Sequence, residues 1–214
     1  MQGISILCDR DGSRSQDPQK YQRDAAMLER ALETETDPLL ISRYTFYLAQ
    51  SLRDHGEPAK ALPLYLRRAE QGFWAEERFL SLYEAAKITA LLGHPGSEVV
   101  GLFLAAYELC PIRAESLHGA MRFCRNRNLF HQGYLIGKHA VTISQPSQGL
   151  FLEDWIYRYG IFDEFAVLAY WSGHFAEAST YARLLLDEPS VPNLERPRII
   201  ANLRFAQEKL AMSL

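Results

Sequence analysis

The chain has 214 residues, of which 48% are hydrophobic and 23% charged, an ordinary composition for a globular protein that allows one large domain or a run of repeats. Its formal net charge of −3 does not favour a nucleic-acid partner. The three cysteines match no disulfide framework, which predicts free thiols in the cytoplasm. No apolar region follows the charged N-terminal residues, so we expect no signal peptide. The apolar stretches are shorter than a membrane span, so we expect no membrane-spanning segment.

Apolar residues recur at helical spacing along the chain, and strand signals are nearly absent. Asp17-Pro18 predicts the start of the first helix, because an aspartate N-cap followed by proline suits a first turn, and Asp37-Pro38 repeats the pattern. We expect residues 1–16 to form an extended junction segment before the first helix.

A helix hairpin is predicted around Gly56. Ala49 precedes this turn, and Ala61 and Tyr65 follow it by five and nine residues. These offsets resemble the tetratricopeptide repeat (TPR), in which small side chains let two helices approach closely and glycine accepts a left-handed turn. Comparable turns are expected at Gly93, Asn128 and Gly173, at successive intervals of 37, 35 and 45 residues. A TPR spans about 34 residues, so the third interval contains an insertion.

The repeated pattern predicts an all-α fold, a TPR-like right-handed superhelix of antiparallel helix hairpins. We expect one helical-repeat domain over residues 17–214. Its units are predicted near residues 39–72, 75–111, 113–145 and 160–190, with an insertion at 146–159 and a C-terminal capping helix at 193–211. The insertion is rich in aromatic residues, so we expect it to pack a short helix against the preceding unit.

The sequence offers little support for a catalytic or metal site. The thiols and imidazoles that could suggest zinc are Cys110, His118, Cys124 and His131, and their spacing has no close pair. The carboxylates of Glu153-Asp154 and of Asp163-Glu164 are adjacent, so they diverge on a helix and do not face one substrate. No phosphate-binding or dinucleotide-binding motif is present. We therefore predict no catalytic residue, no metal and no cofactor.

The first helix of each hairpin is expected to line a concave groove. The predicted groove residues are Arg43, Phe46, Gln50, Arg53, Tyr83, Lys87, His118, Arg122, Arg125, Asp163, Tyr170 and Trp171. Their cations would form a basic stripe and their aromatic rings stacking surfaces, which favours an acidic peptide or an anionic sugar-containing ligand. The alternative is a solvated face with internal ion pairs, using Asp54 or Glu115.

Several longer segments resemble the TPR-like helical region that follows the catalytic domain of bacterial family 2 glycosyltransferases. The segments are DGSRSQDPQKYQRDAAMLERAL, RYTFYLAQSLRDHGEPAKAL, LFLEDWIYRYGIFDEFAVLAYWSGHFAEA and RFA near the end. The resemblance implies that Asp11, Arg14 and Ser15 mark the junction with a catalytic domain. Asp9-Arg10-Asp11 spells that family's metal–diphosphate motif, but we expect no nucleotide-sugar domain here, because only eight residues precede it.

Together these observations predict a non-catalytic protein-interaction module associated with a glycosyltransferase. Its partner would be a protein or peptide, such as the glycosyltransferase catalytic domain or its acceptor. The alternative is an accessory or acceptor-binding part of a family 2 glycosyltransferase that has lost its nucleotide-sugar domain or has been separated from it. A homo-oligomeric scaffold is a third reading, since the ends of repeat arrays often stack.

Overall fold

The computed structural model describes Asp17 and residues 19–212, and these residues form ten α-helices, one π-helical turn and no strand. The all-α class predicted from the sequence is confirmed. The chain divides into two compact units between Phe73 and Trp74. Every helix in the described residues is too short or too polar to cross a lipid bilayer. The expectation of one continuous domain over residues 17–214 stays a prediction.

The first unit consists of three helices, α1 (Lys20–Thr34), α2 (Pro38–Asp54) and α3 (Pro58–Glu70). Asp37 caps α2, because its carboxylate accepts a hydrogen bond from the Leu39 N–H at 2.8 Å and Pro38 occupies the first turn. The start of α1 differs from the expectation, since the Asp17 carboxylate accepts from the Gln19 N–H at 2.9 Å and the helix begins only at Lys20.

The second unit holds three hairpins and a final helix. Its helices are α4 (Ala75–Leu91), α5 (Gly96–Leu109), α6 (Glu115–Asn126), α7 (Phe130–Ala140), α8 (Ile161–Trp171), α9 (Phe175–Asp187) and α10 (Arg196–Met212). The hairpins are α4–α5, α6–α7 and α8–α9, and α10 packs on α9. The first helices α4 and α6 contact each other, as do α6 and α8, so these three helices share a face of the unit.

The four turn residues expected from the sequence all adopt the left-handed backbone conformation. Gly56, Gly93 and Gly173 have φ angles of 88°, 78° and 83°, and Asn128 has a φ of 57°. Glycine has no Cβ to clash in this region, and asparagine tolerates the region better than most residues. These residue types therefore locate the hairpin turns directly in the sequence.

Small residues lie where the helices cross most closely. Ala49 and Ala61, expected at the first crossing, are buried, and so are the hairpin alanines Ala86, Ala106, Ala166, Ala178 and Ala182. In α7 glycines take this place. A Cβ added to Gly133 would lie 2.7 Å from the Leu168 side chain, and one added to Gly137 would lie 2.5 Å from Phe165. Helices α7 and α8 thus approach more closely than they could if residues 133 and 137 of α7 carried side chains.

The predicted insertion does not form a separate short helix. Residues 144–153 contain no helix or strand, and the following helical turn begins at Asp154 and passes through a π-helical turn, Ile156–Gly160, directly into α8. Trp155, Tyr157 and Tyr159 of the insertion therefore extend the first helix of the last hairpin. The Tyr157 hydroxyl accepts from the Ala114 N–H at 3.0 Å and donates to Glu115, which ties this extension to α6.

Candidate binding cavity

In the first unit, the predicted groove arginines are held by neighbouring side chains. Arg43 donates to the Tyr47 hydroxyl at 2.9 Å, and Arg53 lies 2.8 Å from the Asp54 carboxylate. The sequence also allows a solvated face with internal ion pairs, and the Arg53–Asp54 pair is an ion pair of that kind. Each guanidinium is thus already engaged on its own helix.

Phe46 and Gln50 have different surroundings in the first unit. Phe46 is only 1% exposed and packs edge-on against Tyr65 with ring centroids 6.3 Å apart, so the expectation that it lines a groove is corrected. Its position belongs to the buried side of α2. Gln50 borders a cavity of about 340 Å³ between α1 and α2.

In the second unit, Tyr83 and Lys87 are also engaged by neighbouring groups. Tyr83 is 6% exposed, and its hydroxyl donates to Glu153 at 3.0 Å. Burial, followed by the nearby Glu153 carboxylate, raises the pKa of this phenol well above its ordinary value. Lys87 donates to Glu84 at 2.7 Å. Tyr83 therefore anchors the insertion and does not offer an open stacking surface.

The remaining predicted residues on α6 and at the start of α8 meet in one cavity of about 490 Å³. These residues are His118, Arg122, Arg125 and Asp163. Helix α10 closes the other side of the cavity, which we call the α6–α10 cavity. Its further lining includes Trp155, Tyr159, Glu164, Glu195, Arg198 and Asn202. The volume is within the range of sites that take a small molecule or a few peptide side chains.

Ion pairs neutralise two of the three arginines of the α6–α10 cavity. Arg125 donates to both oxygens of Glu164, at 2.5 and 3.1 Å. Arg198 donates to both oxygens of Asp163, at 2.7 and 3.1 Å, and also to Glu195. Arg122 is exposed and makes no ion pair or hydrogen bond with another described residue. The Arg122 guanidinium therefore keeps all its donors for a ligand.

His118 contributes a neutral ring to the α6–α10 cavity. It is 4% exposed, and the Trp155 ring packs edge-on to it with centroids 5.1 Å apart. Burial, then the positive charge of Arg122, lowers the pKa of His118 to about 4. At neutral pH the imidazole can both donate and accept a hydrogen bond, and it adds no charge.

Tyr170 and Trp171 belong to a second, more apolar cavity of about 140 Å³, which also includes Phe205. This cavity adjoins the α6–α10 cavity, because both are lined by Val167 and Asn202. Trp171 is 59% exposed and stacks on Phe130 with centroids 5.4 Å apart. The two cavities give the α8–α10 side of the unit a charged part followed by an aromatic part.

Sequence reasoning missed the contribution of α10. Arg198 and Asn202 line the cavity from a helix that the sequence predicts only as a cap. The aromatic content of the insertion was the available signal for Trp155 and Tyr159. The approach of α10 to α8 depends on packing between distant parts of the chain, and no local pattern reports it.

The described residues contain no cluster of three or more histidine, cysteine, aspartate or glutamate side chains able to hold an ion. Burial raises the pKa of the Cys124 thiol to about 11. The junction residues Asp11, Arg14 and Ser15 lie outside the described residues.

Comparisons with known proteins place the fold. No family model and no curated protein matches the sequence. The crystal structure of MamA is similar, with a TM-score of 0.58 and 9% identity over 97% of this chain and 98% of that chain. A Podosopora anserina protein described as a putative kinesin light chain with nearly identical TPR-like repeats has a TM-score of 0.55 and 16% identity over 89% of each chain.

A crystal structure of a substitution variant of the Podosopora anserina protein gives a TM-score of 0.56 at 16% identity over 90% of this chain and 89% of that chain. At such identities the likeness shows the fold alone, and it confirms the TPR-like class. None of the three structures described above is named as a glycosyltransferase, and that association stays a prediction.

Proposed function

We propose that the chain is a non-catalytic protein-interaction module that binds an acidic peptide in the α6–α10 cavity. Stacked helix hairpins present broad surfaces for binding other chains, and this is the usual role of such folds. The observation that carries the proposal is the Arg122 guanidinium, which lines the cavity and has no partner among the described residues.

The charges of the cavity favour a carboxylate at Arg122. Arg125 and Arg198 are satisfied by Glu164 and Asp163, so neither offers a free fork of donors. A guanidinium binds a carboxylate through two parallel hydrogen bonds, which Arg122 can make without breaking an existing pair. His118, being neutral, adds a hydrogen-bonding group beside it without adding charge.

The aromatic neighbours suit the rest of a peptide. Trp155 and Tyr159 line the cavity beside the charged groups, and Trp171 is exposed in the adjoining apolar cavity. Flat rings supply contact area with little conformational freedom to lose. We propose a ligand with an acidic residue at Arg122 and an apolar or aromatic residue directed toward Trp171. The sequence resemblance supports a glycosyltransferase catalytic domain or its acceptor as the protein that carries this peptide.

The test is a selection of displayed random peptides on the immobilised full chain and on two charge-reversed variants. Arg122→Glu removes the free cation. Arg183→Glu is the matched control, since Arg183 is exposed on α9 and away from the cavity. We expect aspartate or glutamate to be enriched on the parent and on Arg183→Glu, and lost on Arg122→Glu. Enrichment of uncharged peptides on all three chains would contradict the proposal.

A further inference from the structure

Residues 144–153, which we call the strap, connect α7 to the helical turn before α8. The strap has no regular secondary structure, and in the described part of the chain no hydrogen bond between main-chain groups holds residues 144–152. Side chains from α4 and from the segment before α6 hold it instead. A bound peptide in a protein groove is held in the same manner.

The main chain of Leu150 is clamped from both sides. Its N–H donates to the Glu76 carboxylate at 3.2 Å, and its carbonyl accepts from the Arg113 guanidinium at 3.1 Å. Arg113 is 1% exposed and is oriented by Glu115, to which it donates at 2.7 and 3.0 Å. These two contacts engage only main-chain groups, so they would hold a segment of the same backbone conformation whatever side chain it carried at this position.

The residues on either side of Leu150 make the contacts that would select a sequence. A Cβ added to Gly149 would lie 3.0 Å from Nη1 of Arg113, so the close passage over Arg113 favours glycine. Leu152 packs against the buried cluster that includes Leu117. Glu153 accepts the hydrogen bond of the buried Tyr83 hydroxyl at 3.0 Å.

Phe151 shows that the strap is held in a conformation it would not otherwise prefer. Its φ angle is 50°, in the left-handed region, and its side chain is 58% exposed. For a residue other than glycine this backbone conformation is unfavourable, because Cβ lies too close to the following carbonyl oxygen. The contacts of Leu150, Leu152 and Glu153 on both sides offset that cost, so weakening them favours release.

We propose that Glu76, Tyr83 and Arg113 form a peptide-binding cradle, and that the strap is its tethered ligand. The ligand chemistry is a segment that turns at its centre and carries a small residue, a main-chain-clamped residue, an apolar side chain and a carboxylate, in the order of Gly149, Leu150, Leu152 and Glu153. A segment of this chemistry from another chain displaces the strap. The cradle shares no residue with the α6–α10 cavity, and the proposal does not depend on peptide binding there.

The first test measures hydrogen exchange of the Leu150 amide, which donates to the Glu76 carboxylate, in the full chain. Glu153→Ala removes the bond to Tyr83 and is expected to raise the exchange rate about tenfold, the effect of losing one hydrogen bond to a charged group. Glu108→Ala is the matched control, because the Glu108 carboxylate is exposed on α5 and makes no hydrogen bond with the strap in the described residues. Equal exchange in the two variants would overturn the proposal.

The second test supplies the strap as a separate molecule. The receptor is the full chain with residues 146–153 replaced by a glycine–serine segment of equal length, and the probe is a labelled synthetic peptide of residues 146–155. We expect saturable binding to this receptor, no binding to the parent at the same concentrations, and about tenfold weaker binding of the peptide carrying Glu153→Ala.

Circular dichroism shows whether the chain with the glycine–serine segment folds. If it does not fold, the chain with the single substitution Glu153→Ala serves as the receptor. Its weakened strap should let the unsubstituted peptide bind more tightly than it binds the parent. Absence of peptide binding to a folded receptor, or binding to the parent of equal strength, would refute the tethered-ligand proposal.

Discussion

The His118 ring is buried and also borders the α6–α10 cavity, so it can affect both folding stability and ligand binding. The groups that influence its charge are Arg122 and Arg125, which disfavour protonation, and Asp163 and Glu115, which favour it less strongly than burial opposes it. The result is an imidazole that stays neutral well below its usual titration range. Folding stability should therefore depend on pH through this residue.

The pH dependence has a definite sign. The pKa of His118 is about 4 in the folded chain and 6.5 when the ring is exposed, so the unfolded chain binds the proton first as the pH falls. The stability that this residue contributes is complete above pH 6.5 and is lost between pH 6.5 and 4. We expect a loss of about 2 kcal/mol in the free energy of unfolding between pH 7.5 and 5.

Denaturant unfolding of the parent and of His118→Gln at both pH values measures this loss. The substitution should remove about 2 kcal/mol of the difference between pH 7.5 and 5. His131→Gln, at an exposed histidine, is the control for the substitution itself. A parallel pH dependence in the parent and in His118→Gln would show that the folded chain does not keep this ring neutral.

The helices and turns could be predicted from the sequence where a few neighbouring residues determine them. Turn residues such as Asn128 and the cap at Asp37 depend on a few neighbouring residues, and the residue types alone report them. The left-handed Phe73 and Phe151 have no such signal, because phenylalanine does not favour that conformation. The path of the insertion also has no local signal, because the hydrogen bond between Glu76 and Leu150 joins residues far apart in the chain.

The contact between α7 and α8 gives a prediction for one element. Gly133→Ala places a methyl group 2.7 Å from the Leu168 side chain and 2.9 Å from Cβ of Cys124, so we expect a loss of about 1–3 kcal/mol of stability from overpacking. Thermal and denaturant unfolding measure the change.

Gly101→Ala provides the matched control in α5. A Cβ at Gly101 meets no atom within 4 Å, so alanine should raise stability by about 0.5–1 kcal/mol through its better helix propensity. Opposite signs for the two substitutions are the expected result. A stabilising Gly133→Ala would mean that α7 and α8 do not pack as closely as described.

The whole molecule contains two compact units, and the second holds both the α6–α10 cavity and the cradle. The sequence predicted a groove along four hairpins with a basic stripe on the first three, and four of the predicted groove residues lie together in one cavity of the structure, namely His118, Arg122, Arg125 and Asp163. The sequence could not show which cations would be free. That outcome depends on side-chain pairs such as Lys87 with Glu84 and Arg125 with Glu164, which form only after the helices pack.

The most direct test of acidic-peptide recognition by Arg122 is a charge-exchange cycle measured by fluorescence anisotropy. The probes are the most enriched acidic peptide from the selection and the same peptide with its acidic residue replaced by lysine. We expect Arg122→Glu to bind the acidic peptide at least about tenfold more weakly than the parent does, and to bind the lysine peptide more tightly than the parent does. An unchanged preference for the acidic peptide in Arg122→Glu would contradict this expectation.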